Sequence, residues 1–394
     1  MNFTFPIITL PAHASAHERG RLYGVAAAAQ IRHSVLTYAK LFATCGIDWA
    51  QAGELARRYA DVINALDPLL TQEMQGIAEG SGWQLDDILA LNCRTEILPP
   101  NFLSDDTHPA AAALAANRLA GLPDWEVDQP LDPHLRDGEC TAMCVQGSVS
   151  EDGHTWFAQN WDWIGRQRAA LVILKTHDAQ GRALTTLTEA GMLAKIGMNA
   201  SGFALGLNIL RSTSDGLKPG VPVHIVLRHL LGCDSLAHAR ERLAHMATLG
   251  FGAASNIPCA DAHGEVACFE IAPAGWAELT PDKGVVVHTN HFMCSPLLGE
   301  QSPMGLALSS QPRLDTAAQH AEQQGLGFDK LQAFLRDESD GYLSVCRNPD
   351  PSLPPEGRVE SVAGVIMNTH TRQIWIAPDV PSKVAFQVID NDWR

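Results

Sequence analysis

The sequence predicts an α+β protein in which two antiparallel sheets pack face to face, with helices outside them. Before residue 100, apolar side chains recur mainly at the three- and four-residue steps that are typical of helices. From Cys140 onward, short apolar segments alternate with Gly, Asp or Asn turns, which indicates an antiparallel meander. Helical stretches interrupt these strands. This order of strands and helices favours stacked sheets covered by helices.

Three helical stretches are predicted before residue 100. They cover residues 16–43, 49–66 and 85–98. In the second stretch, apolar residues from Leu55 to Leu66 form one face, and Asp48 is the predicted N-cap. The third has to end at Pro99, because proline has no N–H and cannot continue a helix.

Residues 101–139 have a different composition. They contain Asp105-Asp106, an Ala-rich patch (110–116) and the prolines 123, 130 and 133, which predicts an insertion and a linker. An exposed linker can be cut without loss of core, although an ordinary interdomain loop has the same composition. We expect two parts, a helical prosegment (1–139) that ends in the linker 101–139, and a β-rich core (140–394).

The predicted strands after the linker are short and closely spaced. They are residues 140–149, 154–161, 170–176, 183–189, 192–198, 203–209, 265–272, 284–290, 362–367 and 374–377, and the helices among them are residues 222–231, 235–249 and about 312–336. A turn at Glu151-Asp152-Gly153 makes the first two strands a hairpin. Antiparallel pairing then brings Cys140, at the start of one strand, close to Asp162, near the end of the other.

Charge and composition exclude several classes of protein. The formal net charge is −16 and no Lys/Arg-rich run occurs, so neither a nucleic acid nor an anionic membrane is a predicted partner. The N-terminus has no basic residue before its short apolar stretch, and no apolar run reaches about 18 residues. Neither a secretion signal nor a membrane span is therefore predicted. Nine cysteines without a disulfide-like spacing predict reduced thiols in a cytoplasmic protein.

Cys140 is the predicted nucleophile. If the Glu139–Cys140 bond is cut, the thiol gains a free α-amine beside it, and that amine has a pKa of about 7.7–8.0. Such an amine is a suitable base at neutral pH, so one residue supplies both nucleophile and base. Two other interpretations stay open. Most buried cysteines are inert small hydrophobes, and Cys144, on the same strand face, could form a redox pair with Cys140.

Other polar residues stand at strand ends. Asp162, between two tryptophans, could orient the α-ammonium or the thiol, but an aspartate at a hairpin end also caps turns. Asn208 and Asn290 could donate to an oxyanion or only stabilise turns. Arg347 and Arg358 border the last hairpin, where an arginine could bind a carboxylate, hold the site together, or form a surface salt bridge.

The sequence predicts no cofactor and no metal. His288 and His291 form an H-x-x-H pair, but no further ligand at metal-like spacing accompanies them. The glycines of GMNASGFALG lie between predicted strands, whereas nucleotide-binding glycines lie at a strand-to-helix turn.

Segments along nearly the whole chain resemble the penicillin acyltransferase-like family of cysteine N-terminal-nucleophile (Ntn) hydrolases, which includes acyl-coenzyme A:6-aminopenicillanic acid acyltransferase and bacterial relatives. They are RGRLYG (19–24), NCRTEIL (92–98), GECTAMC (138–144), FAQNWDW (157–163), IGMNASGFALGLN (196–208), HTNHF (288–292), SVCRNPD (344–350) and SVAGVIMNTHTRQIWIAP (361–378). Each segment alone is a weak signal. Their common order makes the resemblance specific.

This resemblance implies an αββα four-layer sandwich of two antiparallel sheets, and an inactive precursor that cuts itself before its nucleophilic cysteine. Cleavage would fall between Glu139 and Cys140, which makes Cys140 the catalytic thiol. Asp162 matches the family's aspartate of the following hairpin. Asn208 and Asn290 match positions associated with the oxyanion hole and the surroundings of the nucleophile.

Arg358 is the match for the family's late arginine. Two positions depart from the family pattern. Gln159 stands where related bile-salt hydrolases have arginine, and Glu139 stands where penicillin acyltransferases usually have glycine. The insertion 101–136 has no counterpart that the resemblance identifies.

The predicted function is that of a self-cleaving amidohydrolase or acyltransferase. An acyl group would form a thioester with Cys140 and then pass to water or to an amine. The expected partners are a small-molecule acyl amide or acyl-CoA substrate and the chain's own cleaved prosegment, and a homo-oligomer is left open. The alternative is a non-catalytic or redox-active thiol protein that keeps the fold.

Overall fold

The structure is a computed structural model that describes residues 5–98, 140–302, 309–351, 358–391 and 393. The predicted linker 101–139 lies outside these ranges. Glu139, and with it the carbonyl of the predicted cleavage bond, is therefore not among the described residues.

Strands and helices occupy most of the described chain. The strands are β1 (Ile7–Thr9), β2 (Cys140–Val145), β3 (Trp156–Ile164), β4 (Leu171–His177), β5 (Ala183–Glu189), β6 (Ile196–Asn199), β7 (Ala204–Leu205), β8 (Asn208–Ile209), β9 (Ser255–Ala260), β10 (Val266–Ala272), β11 (Gly275–Leu279), β12 (Val285–His288), β13 (Val359–Asn368), β14 (Gln373–Ala377) and β15 (Gln387–Ile389). The helices are α1 (Ala16–Ala26), α2 (Ala28–Thr44), α3 (Trp49–Arg57), α4 (Ala60–Leu66), α5 (Pro68–Ser81), α6 (Leu85–Asn92), α7 (Arg94–Ile97), α8 (Val223–Leu230), α9 (Leu236–Leu249), α10 (Ser310–Ala321) and α11 (Phe328–Leu335). Short 3₁₀ turns add residues 165–170, 295–300 and 341–343.

The strands form two sheets. The first has the order β1-β4-β5-β6-β7-β9-β10-β11, with β8 also paired to β9, and the second has the order β12-β2-β3-β13-β14-β15. From Cys140 onward the strands named above pair antiparallel with one another. β2 begins at Cys140 and is an interior strand, between β12 and β3. The prediction that Cys140 lies in an interior strand is confirmed.

The sheets face each other and carry helices on their outer sides. Strands β2 and β3 of the second sheet contact β9 of the first, and Phe157 and Phe269 share one buried apolar cluster between them. On the other side of the second sheet, Met143 and Trp156 pack against Phe334 of α11. Helices α2 and α9 contact β5 and β11 of the first sheet. The predicted α+β sandwich with outer helices is confirmed.

The N-terminal segment is not entirely helical, which corrects the expectation for its first residues. β1 joins the edge of the first sheet, parallel to β4, with Ile7 opposite Ile173. Its β-branched residues favour a strand, and Pro6 and Pro11 bound it on both sides. The helices that follow place Tyr23, among other side chains, in the same apolar core as the sandwich.

The predicted helices 222–231 and 235–249 are the single helices α8 and α9, whereas the other four predicted stretches are each divided in two. The stretch 16–43 is α1 and α2, 49–66 is α3 and α4, 85–98 is α6 and α7, and 312–336 is α10 and α11. Asp48 is confirmed as an N-cap, since its carboxylate accepts the N–H of Gln51 at 2.8 Å. The sequence did not predict α5, which begins at Pro68 after the N-cap Asp67, because Gly76 and Gly80 weaken its helical pattern.

Some predicted strand bounds were wrong as well. The stretch 192–198 is a strand only from Ile196, and 203–209 is two short strands, β7 and β8. The interruption lies at Leu207, whose backbone bonds to the side chain of Gln159 instead of to a strand. β9, β11 and β15 were not predicted; β9 contains Pro258, which lowers strand propensity.

Helices α1 and α5 cross with their backbones in contact. A Cβ added at Gly20 would lie 1.9 Å from the carbonyl oxygen of Glu73, and one at Gly76 would lie 2.0 Å from that of His17. No side chain fits at such distances, so both positions require glycine.

In the described residues, no helix is long and apolar enough to cross a membrane.

Candidate active site

Polar side chains hold the main chain of Cys140 on both sides. Its N–H donates to Oδ1 of Asn290 at 2.8 Å, and its carbonyl accepts hydrogen bonds from Nδ2 of Asn208 at 2.9 Å and Nη1 of Arg313 at 2.7 Å. Cys140 is only 2% exposed. The structure therefore brings together Cys140, Asn208 and Asn290, as the sequence predicted, and adds Arg313.

Both asparagines are fixed by further bonds. Asn290 donates from Nδ2 to the carbonyl of Ile209 at 2.8 Å, and its N–H donates to Oγ of Ser310 at 2.9 Å. Asn208 donates a second, longer bond from Nδ2 to the carbonyl of His288 at 3.4 Å. In this structure both side-chain amides hold backbone groups in place. Because its bond to His288 is long, Nδ2 of Asn208 is the donor that would be redirected to an oxyanion most easily.

Gln159 positions the segment before Asn208. Its Nε2 donates to the carbonyl of Leu207 at 2.5 Å, and its Oε1 accepts the N–H of Leu207 at 3.2 Å. This position, at which the resemblance identifies an arginine in bile-salt hydrolases, thus holds an uncharged amide. The amide of Gln159 contacts the backbone of Leu207.

Arg313 is the arginine that contacts Cys140. This fully buried residue of α10 also donates from Nη1 to Oγ1 of Thr141 at 2.9 Å, from Nη2 to Oδ1 of Asn290 at 2.9 Å, and from Nε to Oγ of Ser309 at 3.0 Å. Sequence reasoning missed it, because an arginine in an amphipathic helix is usually on the exposed face.

Arg358, the predicted arginine, has a different environment. Its Nη2 donates to the carbonyl of Pro351 at 3.3 Å in an exposed setting. The prediction rested on the match of Arg358 to the family's late arginine, but α10 packs directly on β2 and β12 and brings Arg313 to Cys140 instead. Arg347 uses its backbone N–H to donate to Oγ of Ser361 at 2.9 Å.

Asp162 is buried beside Cys140, but its carboxyl points away from the inner face. Because side chains alternate along β3, Trp161, the register partner of Cys140, faces the other sheet, and Asp162 faces the helices. Its Oδ1 accepts a hydrogen bond from Ser361 at 2.5 Å. Burial raises the pKa of Asp162 to about 7, although Arg313 and Ser361 lower it in part.

The Cys140 thiol is protonated at neutral pH in this structure. Burial, together with the charge of Asp162, raises its pKa to about 11. Lys195, a hydrogen bond from the backbone of Asp162, and Arg313 act in the opposite direction. A base is therefore needed to activate the thiol at neutral pH.

A buried ionic cluster lies on the inner face of β3. Nζ of Lys195 is 3.3 Å from Oε2 of Glu189 and 3.6 Å from the ring centroid of Trp161. Arg94 lies 4.8 Å from the ring centroid of Trp163 and 3.7 Å from Glu189. In the described part of the chain, no nitrogen of the Arg94 guanidinium makes a hydrogen bond. Sequence reasoning missed this cluster.

The pKa values of Lys195 and Glu189 in this cluster are shifted from their ordinary values. Burial lowers the pKa of Lys195 to about 7, in spite of its ion pair with Glu189. Burial would raise the pKa of Glu189, but Lys195, Arg94 and the hydroxyl of Tyr38 together lower it to about 2. Near neutral pH, the inner face of β3 thus carries one permanent cation, one anion and one titrating lysine.

Comparisons with known proteins show what this chain is similar to. The family model described as "Acyl-coenzyme A:6-aminopenicillanic acid acyl-transferase" matches residues 149–382, more than half of the chain. The 40 kDa form of acyl-coenzyme A:6-aminopenicillanic-acid-acyltransferase from Emericella nidulans is 28% identical over 306 residues, which cover 76% of this chain and 72% of that protein.

Solved structures to which the chain is similar include a mutant conjugated bile acid hydrolase from Clostridium perfringens, with a TM-score of 0.37, 11% identity and coverage of 64% of this chain and 97% of that one. Penicillin V acylase from Agrobacterium tumefaciens has a TM-score of 0.36, 13% identity and coverage of 64% and 86%. With the sequence match over more than half of its length, the chain belongs to the acyl-coenzyme A:6-aminopenicillanic acid acyltransferase family.

Proposed function

We propose that this chain is a self-cleaving Ntn amidohydrolase or acyltransferase that carries an acyl group as a thioester on Cys140. The observation that supports it most is the bond between the Cys140 N–H and Oδ1 of Asn290. This nitrogen would become the α-amine after cleavage. Asn290 already provides an acceptor that can hold the amine next to the thiol.

The first step is cleavage of the precursor. The Cys140 sulfur attacks the carbonyl carbon of Glu139, an S–C bond forms, the C–N bond breaks, and the thiol proton passes to the leaving nitrogen. Water then opens this thioester, which gives the carboxylate of Glu139 and a free thiol and α-amine on Cys140. The pieces 1–139 and 140–394 stay associated, because the N-terminal helices share the apolar core of the sandwich.

Turnover repeats the same chemistry on a substrate. The α-amine takes the thiol proton, the sulfur attacks the acyl carbonyl, and the leaving amine or thiol receives the proton. Asn208 and Asn290 stabilise the oxyanion, and Arg313 holds the Cys140 carbonyl in place. Asp162 acts on the thiol by charge. Water or an acceptor amine then takes the acyl group from sulfur.

The substrate class we propose is a small N-acyl amide or acyl thioester. The Emericella relative is named for acyl-coenzyme A and 6-aminopenicillanic acid, so acyl transfer to an amine is one form of the activity. Hydrolysis of small N-acyl amides is the other. Both need the same thioester, and they differ only in the final acceptor.

Intact mass spectrometry tests the proposal. Wild type should give two pieces, Cys140→Ala should remain one chain and be inactive, and Cys140→Ser should cleave slowly, since an alcohol is the poorer nucleophile. Cys144→Ala is the matched control, because this cysteine is buried on the same strand, and it should cleave like wild type. A wild type that stays intact yet hydrolyses amides through a thiol would require a conventional cysteine site. Intact and inert proteins would favour the non-catalytic alternative.

A further inference from the structure

Glu270 ties both ends of the loop that carries Asn290. This carboxylate of β10 accepts a hydrogen bond from Nε2 of His288 at 2.9 Å, at the end of β12. It also accepts the backbone N–H of Met293 at 2.6 Å and that of Cys294 at 3.0 Å. A side chain of the first sheet thus fixes a loop of the second.

The hydrogen bonds of His288 define its protonation state. Nδ1 lies 2.8 Å from the carbonyl oxygen of Thr289, and Nε2 lies 2.9 Å from Oε1 of Glu270. A carbonyl oxygen only accepts, and an ionised carboxylate only accepts, so both ring nitrogens have to donate. His288 is therefore an imidazolium ion, fully buried and paired with Glu270.

Glu270 is ionised in this arrangement. Burial would raise its pKa, but the hydrogen bond and charge of His288, with the N–H groups of Met293 and Cys294, lower it below the ordinary glutamate value. A buried charge is stable only when it is paired and hydrogen-bonded, and both conditions hold for this pair.

The pair lies next to two groups that contact the nucleophile. Asn290 is two residues after His288, and its Oδ1 accepts the N–H of Cys140. The carbonyl of His288 accepts the 3.4 Å bond from Asn208, whose amide also donates to the carbonyl of Cys140. A shift of His288 would therefore move both asparagines relative to the thiol.

We propose that Glu270 and His288 are positioning residues that form a charged strut, and that self-cleavage and acyl transfer require His288 in its doubly protonated form. This inference rests on the proposed function. The strut does not touch the reacting atoms. It holds Asn290 where its Oδ1 receives the Cys140 nitrogen, before and after the chain is cut.

The strut depends on the charge of Glu270. It is lost as pH falls, when Glu270 takes a proton at its lowered pKa. Other titratable or charged groups also act on this loop. They include His291 and Cys294 within it, Cys268 of β10, Glu278 of β11, and Arg313 and Asp315 of α10.

Histidine ¹⁵N NMR of the wild-type protein tests the protonation state without any risk of misfolding. The chain has 16 histidines. At about pH 8 exposed histidines are neutral. We expect one doubly protonated ring to persist, and its signal to be absent from His288→Gln. A spectrum in which every ring is neutral at that pH overturns the proposal.

Kinetics of Glu270→Gln and His288→Gln test the function of the strut. The self-cleavage rate and kcat on an N-acyl amide should fall about 10- to 100-fold, with KM within about twofold, since misplacement by about 1 Å has effects of this size. The double variant should be no slower than the worse single one, because both remove one unit. Glu265→Gln, on the turn before β10, and His238→Gln are matched controls with partly exposed side chains.

Two results overturn the strut. One is wild-type rates with an unchanged pH profile in both variants, and the other is a raised KM at unchanged kcat, which would indicate a substrate contact instead. An inert and uncut wild type overturns the proposed function, and with it the catalytic part of this inference. A wild type that cleaves beside unaffected variants overturns the strut alone.

Discussion

The two faces of β3 each hold a fully buried arginine, and the two arginines are bonded differently. On the helix-covered face, Arg313 donates hydrogen bonds from all three of its nitrogens, among them the bonds to Cys140 and Asn290. On the inner face, Arg94 lies near the rings of Tyr38 and Trp163 and forms an ion pair with Glu189, and among the described residues its guanidinium has no hydrogen-bond partner.

This difference separates two uses of a buried charge. A guanidinium with its N–H groups satisfied fixes the positions of the atoms that it contacts. One without hydrogen bonds contributes a field and an ion pair, and leaves donors unsatisfied. We therefore expect Arg313 to determine geometry at Cys140, whereas the inner cluster changes only its electrostatics.

Replacement of the two arginines should give the largest contrast. Arg313→Met leaves the Cys140 carbonyl and Oδ1 of Asn290 without this donor, so we expect a loss of about 3–5 kcal/mol in the free energy of unfolding and more than about 100-fold slower cleavage. In Arg94→Met, Glu189 keeps Lys195, and we expect a loss of about 1 kcal/mol. Urea unfolding and intact mass measure both. Equal losses would refute the distinction between the two faces.

Asp162→Asn should change how stability depends on pH. Burial raises the pKa of Asp162 to about 7, above its ordinary value, so its contribution to stability is full at low pH and is lost as pH rises through about 7. The variant should lack this decrease, a difference on the order of 1–2 kcal/mol between about pH 6 and pH 8. Burial also raises the pKa of Glu96 to about 7 and that of Asp215 to about 6. The measurement is therefore the difference in stability between wild type and Asp162→Asn at each pH. Parallel curves would contradict the assignment.

Lys195→Met should give the smallest effect. The Lys195 charge lowers the pKa of the Cys140 thiol, so its removal should slow iodoacetamide alkylation of Cys140 by about two- to fivefold below pH 7. The effect should shrink above about pH 7, where Lys195 itself loses its proton. Peptide mapping of the alkylated site is the measurement, and the exposed Lys218→Met is the control. A loss that does not vary with pH would indicate a packing defect instead of a charge effect.

Local patterns in the sequence were sufficient for the fold. Strand periodicity and turn residues identified the start of β2 at Cys140 and the hairpin to β3, because both signals are contained in a few neighbouring residues. Short elements were not predicted. β1 has three residues, too few to show the alternation of a strand, and it is held by pairing with β4, which lies far along the chain.

The site was only partly readable from sequence. Cys140, Asn208 and Asn290 stand at strand ends, where the pleat and the sheet order bring them together. Lys195 is buried against the usual preference of charged residues for the surface, so no pattern pointed to it. Arg313 was missed for a similar reason. Arg358 was chosen by chain order, which does not encode the packing of α10 on β2.

The crossing of α1 and α5 restricts which residues positions 20 and 76 can accept. A Cβ added at Gly20 or Gly76 would overlap with a carbonyl oxygen of the opposite helix. Even alanine, the smallest possible change, would force the two helix axes apart. We therefore expect substitution at Gly20 or Gly76 to be as harmful as substitution at Cys140, although neither glycine lies at the candidate site. Sensitivity to mutation in this chain would then have two unrelated causes, helix packing and the proposed chemistry.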